Sequence, residues 1–151
     1  MKLYEYLPKA HALLEGGEPK YETMSKRFLE GGKKLLFKPM TPDNRDILLP
    51  SSGRVAGDGS VVLDEEAEHL GCFLGGSYAI SGKLLKNQEY VDMGAKLTLG
   101  CVYGYESFPT GMMPERINMV ACKSPENCEW DQELFDQEKR KRPECMFGLI
   151  S

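Results

Sequence analysis

His69-Leu70-Gly71-Cys72-Phe73 opens the stretch whose reading decides the fold, Tyr90-Val91-Asp92-Met93-Gly94-Ala95-Lys96-Leu97-Thr98 carries it to Cys101, and Gly111-Met112-Met113-Pro114-Glu115 closes it. Cys72, Phe73, Ile80 and Leu84 fit one helix, while Tyr90, Gly94, Leu97, Cys101 and Tyr105 recur at spacings of three and four along a second. Leu97, Leu99, Cys101, Tyr103 and Tyr105 also alternate like a strand, but the stretch is long for one, and helix is favoured. Two helices facing each other follow, pinned where Cys72 and Cys101 fall on their apolar stripes, with a polar loop at one end. Asp64-Glu65-Glu66 ahead of His69 places negative charge where the first helix has its positive end.

Upstream, Tyr4, Leu7, His11 and Leu14 predict an amphipathic helix whose regular part begins near Leu7, because Pro8 removes a backbone donor. Gly16-Gly17 ends it, and Glu18-Pro19 starts the next, with Tyr21, Met24, Phe28, Leu35 and Leu36 on one face and Lys33, Lys34 and Lys38 at its negative end. Gly31-Gly32 is the weak point, at roughly 1 kcal/mol per glycine relative to alanine. Pro39, Pro42 and the polar run between Thr41 and Asp46 break the pattern. Ile47-Leu48-Leu49 then predicts a short strand entering a turn at Pro50-Ser51-Ser52-Gly53, with Val55 and Val61-Val62-Leu63 as the return of a hairpin.

Downstream, a loop through Ser107-Phe108-Pro109-Thr110-Gly111 leads to the apolar segment Met119-Val120-Ala121 and the loop from Cys122 to Cys128. Asp131 predicts the cap of a last helix from Gln132 to about Lys141. There is no internal repeat. The fold class is mostly α: antiparallel helix pairs with a small β-hairpin between them.

With 151 residues, 41% of them hydrophobic and 28% charged, the chain suits one domain able to bury roughly 70% of its unfolded surface. A net charge of −4 gives no footprint for nucleic acid, and Lys139-Arg140-Lys141-Arg142, preceded by acids, suits a solvated helix face. The first residues lack the apolar run of a signal peptide, and no stretch approaches the ~20 apolar residues of a transmembrane helix. Five cysteines are many for a cytosolic domain, so composition points to an oxidising compartment while the N-terminus shows no targeting signal.

His69 with the cysteines lacks the tight paired spacing of a structural zinc cluster. A Cys72–Cys101 bond would close a loop of about 30 residues, contributing about 3.5 kcal/mol in the chain-entropy treatment. Cys122 and Cys128 could close a smaller loop, leaving Cys145 odd.

Three residues are candidates for ligand contact. His69, beside Glu68 at a helix start, can orient a polar substrate or carry a proton, although a lone histidine is more often structural. Glu115 follows Pro114 on a stiff loop backbone, where a solvated glutamate is the plainer reading. Glu5 lies within Tyr4-Glu5-Tyr6, a segment of the kind that stacks on sugar rings, and core packing explains those tyrosines equally well.

In chain order, Tyr4-Glu5-Tyr6-Leu7-Pro8-Lys9, the segment from Leu36-Phe37-Lys38-Pro39 to Asn44-Arg45-Asp46, Glu68-His69-Leu70 with Cys72-Phe73, Tyr90-Val91-Asp92, Ala95-Lys96-Leu97-Thr98 and Met113-Pro114-Glu115 resemble one family. It is the fungal class I α-1,2-mannosidases of glycoside hydrolase family 47, which trim mannose from N-linked glycans in the secretory pathway. The likeness runs from about Tyr4 to about Arg142, its cysteine pair corresponds to the family's disulfide, and Cys122 to Trp130 is similar to the fungal branch.

The resemblance implies a barrel of seven concentric helix pairs, a calcium ion at its base and an inverting hydrolysis of high-mannose N-glycans, in the endoplasmic reticulum, the Golgi or outside the cell. Residues 1–142 would be an incomplete portion of that (α/α)7 barrel, about a third of it, and 143–151 an unrelated tail. The family's Asp ahead of Tyr-Glu-Tyr, a proposed catalytic base, falls on Met1, and Lys2 and Leu3 also depart from the pattern. The segments with the general-acid Glu and the Arg-Pro-Glu carboxylate, and the calcium-binding Thr, have no counterpart. No catalytic or metal-binding residue carries over; Glu5, His69 and Glu115 carry over as glycan-facing positions. An abrupt start and an unrelated tail suggest a truncated gene model, a pseudogene product or an isolated fragment, inactive alone. The alternatives are a lectin-like mannose-binding module and a plain helical interaction protein, which binding to a glycan array would separate.

Overall fold

A computed structural model describes residues 2–124 and 128–141. Cys145 and residues 142–151 lie outside the described residues. Among the described residues five α-helices carry the architecture: α1 (Lys2–Leu13), α2 (Pro19–Lys33), α3 (Phe73–Leu84), α4 (Gln88–Glu106) and α5 (Gln132–Lys141). Six short strands, β1 (Leu36–Phe37), β2 (Leu49–Pro50), β3 (Ser52–Val55), β4 (Val61–Asp64), β5 (Glu66–Glu68) and β6 (Arg116–Asn118), form three two-stranded antiparallel sheets: β1 with β2, β3 with β4, and β5 with β6.

Short connections make α1 with α2, and α3 with α4, antiparallel pairs, and α1 also packs on α3. The first helix begins at Lys2, not near Leu7, and passes through Pro8. Pro8 forfeits one interior hydrogen bond, yet it is buried in the crevice against Phe73, Gly76 and Ile80 of α3, so packing overrides propensity. Gly16, at φ +77°, lets its N–H turn back to the His11 carbonyl and stop the helix.

Helix α2 starts at Pro19 as expected but ends at Lys33, so Leu36 belongs to β1 and not to the helix face. The buried face carries Ser25 and Leu29, while Met24 is exposed. Gly32 has a positive reason to be glycine: a Cβ there would stand 2.9 Å from the Tyr78 hydroxyl, which donates to the Leu29 carbonyl at 2.7 Å. Leu29, Tyr78, Tyr90 and Leu97 form the core between the two helix pairs.

The α3–α4 contact is backbone-close. A Cβ on Gly94 would lie 2.7 Å from the Gly75 carbonyl oxygen and the Ala79 nitrogen, and one on Gly82 would lie 2.7 Å from the Val91 nitrogen. The core face of α3 is therefore Gly75, Ser77, Tyr78, Ser81 and Gly82, and the expected stripe is turned outward, with Ile80 46% and Leu84 38% exposed. Apolar spacing missed this because close helix crossings select small residues. Helix α4 follows its expected stripe, burying Tyr90, Gly94, Leu97 and Cys101 and leaving Tyr105 exposed.

The hairpin forms with a shifted first strand. Ser52–Val55 pairs with Val61–Asp64, Val55 opposite Val61, whereas Leu49 pairs with Phe37. Leu48 donates to the Lys96 carbonyl at 3.1 Å, so the Ile47–Leu49 segment is held against α4 and is unavailable to the hairpin. Two further small sheets were not anticipated, since strands of two or three residues leave no periodicity to read. Met119-Val120-Ala121 is a buried ridge, with Met40 donating to Val120 and Cys122 to Lys38. Asp131 caps α5 through the Leu134 N–H at 2.9 Å, as predicted.

Cys72 and Cys101 are bonded, their Cα atoms 5.7 Å apart, joining the turn before α3 to the fourth turn of α4. Cys122 and Cys128 are bonded as well, with Cα atoms 4.9 Å apart. Around them Met40, Val120 and Phe135 anchor α5 to the body.

Candidate functional site

The site grows from the end of the β5–β6 sheet. Ala67 of β5 points into the core opposite Ile117, so Glu66 and Glu68 take the other face. After Glu68 the chain does not enter an α-helix directly, as expected from the sequence, but makes a 3-10 turn over His69–Cys72. A Cβ on Gly71 would lie 2.6 Å from Pro50 Cγ, so the turn packs this closely on the Pro50 ring only because position 71 has no side chain.

This turn brings His69 to the loop that leaves α4. Its main-chain N–H donates to the Glu115 carbonyl at 2.8 Å, next to the Glu68–Arg116 pair of the sheet. Two of the three residues picked from sequence thus meet at one junction. Glu115 is exposed and His69 partly so, which leaves both side chains open to a ligand. The His69 ring hydrogen-bonds through Nε2 to the Tyr105 hydroxyl, edge-on, with ring centroids 5.7 Å apart and planes at 72°.

Beside the junction lies a cleft of about 290 Å³, lined by Leu35, Leu36, Pro50, Leu74 and Tyr78, with Glu66 and Glu68 at its edge. Arg116 approaches Glu66 at 3.7 Å. On the far side of the turn, the Cys72 sulfur contacts Met113 Sδ at 4.0 Å, and Met113 packs over Gly104, fixing the loop that delivers Glu115.

Glu5 does not join this group. It sits on α1, paired with Lys9 one turn on, in a smaller crevice lined by Pro8, Phe73, Gly76, Ser77 and Ile80. In the sequence Tyr105 is a member of the helical stripe and nothing more. Its position one turn beyond Cys101 was the available signal, since the disulfide aligns that face of α4 with the turn carrying His69. Among the described residues no three His, Cys, Asp or Glu side chains converge to hold a metal ion, so the residues here do not by themselves fit calcium.

A similar backbone arrangement occurs in the solved α-1,2-mannosidase from Trichoderma reesei, which matches with a TM-score of 0.67 and 26% identity, over 78% of this chain and 23% of that one. The chain belongs to glycosyl hydrolase family 47, whose model matches residues 2–147. A mannosyl-oligosaccharide α-1,2-mannosidase 1B from Emericella nidulans is 38% identical over 71 residues, 47% of this chain and 14% of the relative. The mannosyl-oligosaccharide α-1,2-mannosidase of Penicillium citrinum is 31% identical over 117 residues, 74% of this chain and 21% of the relative. The chain spans less than a quarter of the length of each of these proteins.

Proposed function

We propose that these residues form part of the wall of a calcium-dependent, inverting α-1,2-mannosidase that trims high-mannose N-glycans in the secretory pathway, an incomplete portion of an (α/α)7 barrel. The observation that carries this reading is the main-chain bond from His69 to Glu115, which joins two segments distant in sequence at a turn whose Glu68 and Gly71 line an open cleft. The outward apolar residues Ile80 and Leu84 on α3, and Leu99 and Val102 on α4, support the barrel reading, because in a closed ring such faces pack on the neighbouring helices.

Inverting hydrolysis needs a carboxylic acid to protonate the leaving oxygen and a second carboxylate to activate water, about 6.5 to 9.5 Å apart on opposite faces of the sugar. Glu115 and Glu5 are the carboxylates the family resemblance places toward sugar, and they stand apart: Glu5, tied to Lys9, lines the α1–α3 crevice, whereas Glu115 is exposed on the loop bonded to His69. The role left to this chain is binding: His69 offers a ring nitrogen and Glu115 an acceptor to sugar hydroxyls. Calcium, where present, would help hold the sugar and water, with ligands drawn from outside the described residues.

The purified 151-residue chain, supplied with calcium, is expected to release no mannose from a Man-α-1,2-Man substrate above background. Mannose release that disappears in Glu115→Gln would overturn the reading and assign the chemistry to a carboxylate of this segment.

A further inference from the structure

Two rungs connect the turn of His69 to the last turns of α4. The lower is the Cys72–Cys101 disulfide, and the upper is the hydrogen bond between His69 Nε2 and the Tyr105 hydroxyl. Cys72 lies three residues after His69 and Cys101 four before Tyr105, so in an antiparallel pair both rungs fall on one face. The covalent rung fixes the height of Tyr105, and the backbone bond to Glu115 fixes the main chain of His69. The remaining freedom of the histidine is its ring, and Tyr105 holds that.

We propose that Tyr105 is the positioning residue of His69: its hydroxyl donates to Nε2, so the neutral imidazole carries its proton on Nδ1 and presents that N–H to an oxygen of a polyhydroxylated ligand. In neutral imidazole one nitrogen donates and the other accepts, and the partner of one nitrogen decides the state of the other. A phenol is a stronger donor than a neutral imidazole N–H, which favours O–H···N over the reverse. Among the described residues, the Tyr105 hydroxyl has no other acceptor and His69 Nδ1 no other partner. The Tyr105 oxygen keeps its lone pairs and the residue is 39% exposed, so the same pair offers a donor and an acceptor side by side, as vicinal sugar hydroxyls require.

The ligand class rests on the glycosidase reading above; the tautomer does not. The chain has two histidines, His11 and His69, so imidazole ¹⁵N spectra of the intact, histidine-labelled protein at mildly alkaline pH contain one internal reference and one reporter. Wild-type His69 is expected in the Nδ1–H form. Tyr105→Phe, which keeps the ring and its packing, is expected to return His69 to the Nε2–H form usual for free histidine, with His11 unchanged. Titration with Man-α-1,2-Man is expected to perturb His69 Nδ1 in the wild type and to require several-fold more ligand in Tyr105→Phe. A wild-type Nε2–H tautomer, or one indifferent to Tyr105→Phe, overturns the proposal. A tautomer change without any response to the disaccharide supports the positioning role of Tyr105 and overturns the glycan reading alone.

Discussion

Gly100 lies directly under the main chain of Leu48: a Cβ on Gly100 would stand 2.1 Å from the Leu48 carbonyl oxygen. No real contact is that short, so the Ile47–Leu49 segment can lie on α4 and donate to Lys96 only because position 100 has no side chain. Gly100→Ala should force the two backbones apart and cost about 1–3 kcal/mol. Gly31→Ala, in open space on α2, should instead stabilise by about 0.5–1 kcal/mol. Urea unfolding of both variants checks the pair, and equal effects would show that the contact is not the cause.

The Cys72–Cys101 disulfide closes 29 residues of separation. The double variant Cys72→Ser, Cys101→Ser should lose roughly 3–4 kcal/mol in equilibrium unfolding, the size expected from restoring that loop's freedom to the unfolded chain. A loss below about 1 kcal/mol would mean that packing of α3 on α4 already fixes the pair.

Glu30 accepts from the Tyr90 hydroxyl at 2.5 Å and pairs with Lys33 at 2.9 Å, tying α2 to α4. The Tyr90 hydrogen bond, and after it Lys33, hold the Glu30 carboxyl below its ordinary range, while burial, helped by the same carboxylate, pushes the Tyr90 phenol up to about 12. A depressed carboxylate contributes stability above its unfolded pKa, about 4.3, and that contribution is lost as pH falls through the lower folded value. Glu30→Gln should therefore be less stable than wild type near neutrality and match it in acid. Denaturation midpoints across a pH series check this, and a gap that persists in acid would assign the effect to packing.

Leu99 and Val102 on α4 and Ile80 on α3 are 52%, 42% and 46% exposed. Faces of this kind drive association when nothing covers them. The isolated chain should self-associate with rising concentration in sedimentation experiments, and replacing Leu99 and Val102 by Lys should shift it toward monomer without changing its helical circular dichroism. A wild-type monomer at every concentration would remove this support for the barrel reading.

Glycan binding, if the His69–Glu115 junction carries it, should fall about tenfold or more in His69→Ala and in Glu115→Gln, and change little in Glu5→Gln. Calorimetric titration with a mannose disaccharide separates the junction from the α1–α3 crevice. An effect of Glu5→Gln equal to that of Glu115→Gln would place sugar in the α1–α3 crevice as well.

Much was legible in the sequence where the signal was local. The Glu18-Pro19 helix start, the Asp131 cap and the stripe from Tyr90 to Cys101 each depend on residues within a few turns of one another, and the structure has all of them; it also has the Cys72–Cys101 pair, which the facing stripes and the family resemblance pointed to. The ordered motifs from Tyr4-Glu5-Tyr6 to Met113-Pro114-Glu115 likewise pointed to the family that the whole-chain match establishes. Tertiary structure decided what depends on distance between remote segments. It buried Pro8 inside α1, gave the α3 face to glycine and serine while turning Ile80 and Leu84 outward, and reserved Leu49 for β1 so that Ser52 began the hairpin. It also separated Glu5 from His69 and Glu115 and set Tyr105 against the His69 ring. Local patterns record what a residue does to its own turn of chain; which side chain meets which across the fold is fixed by how closely two backbones can approach.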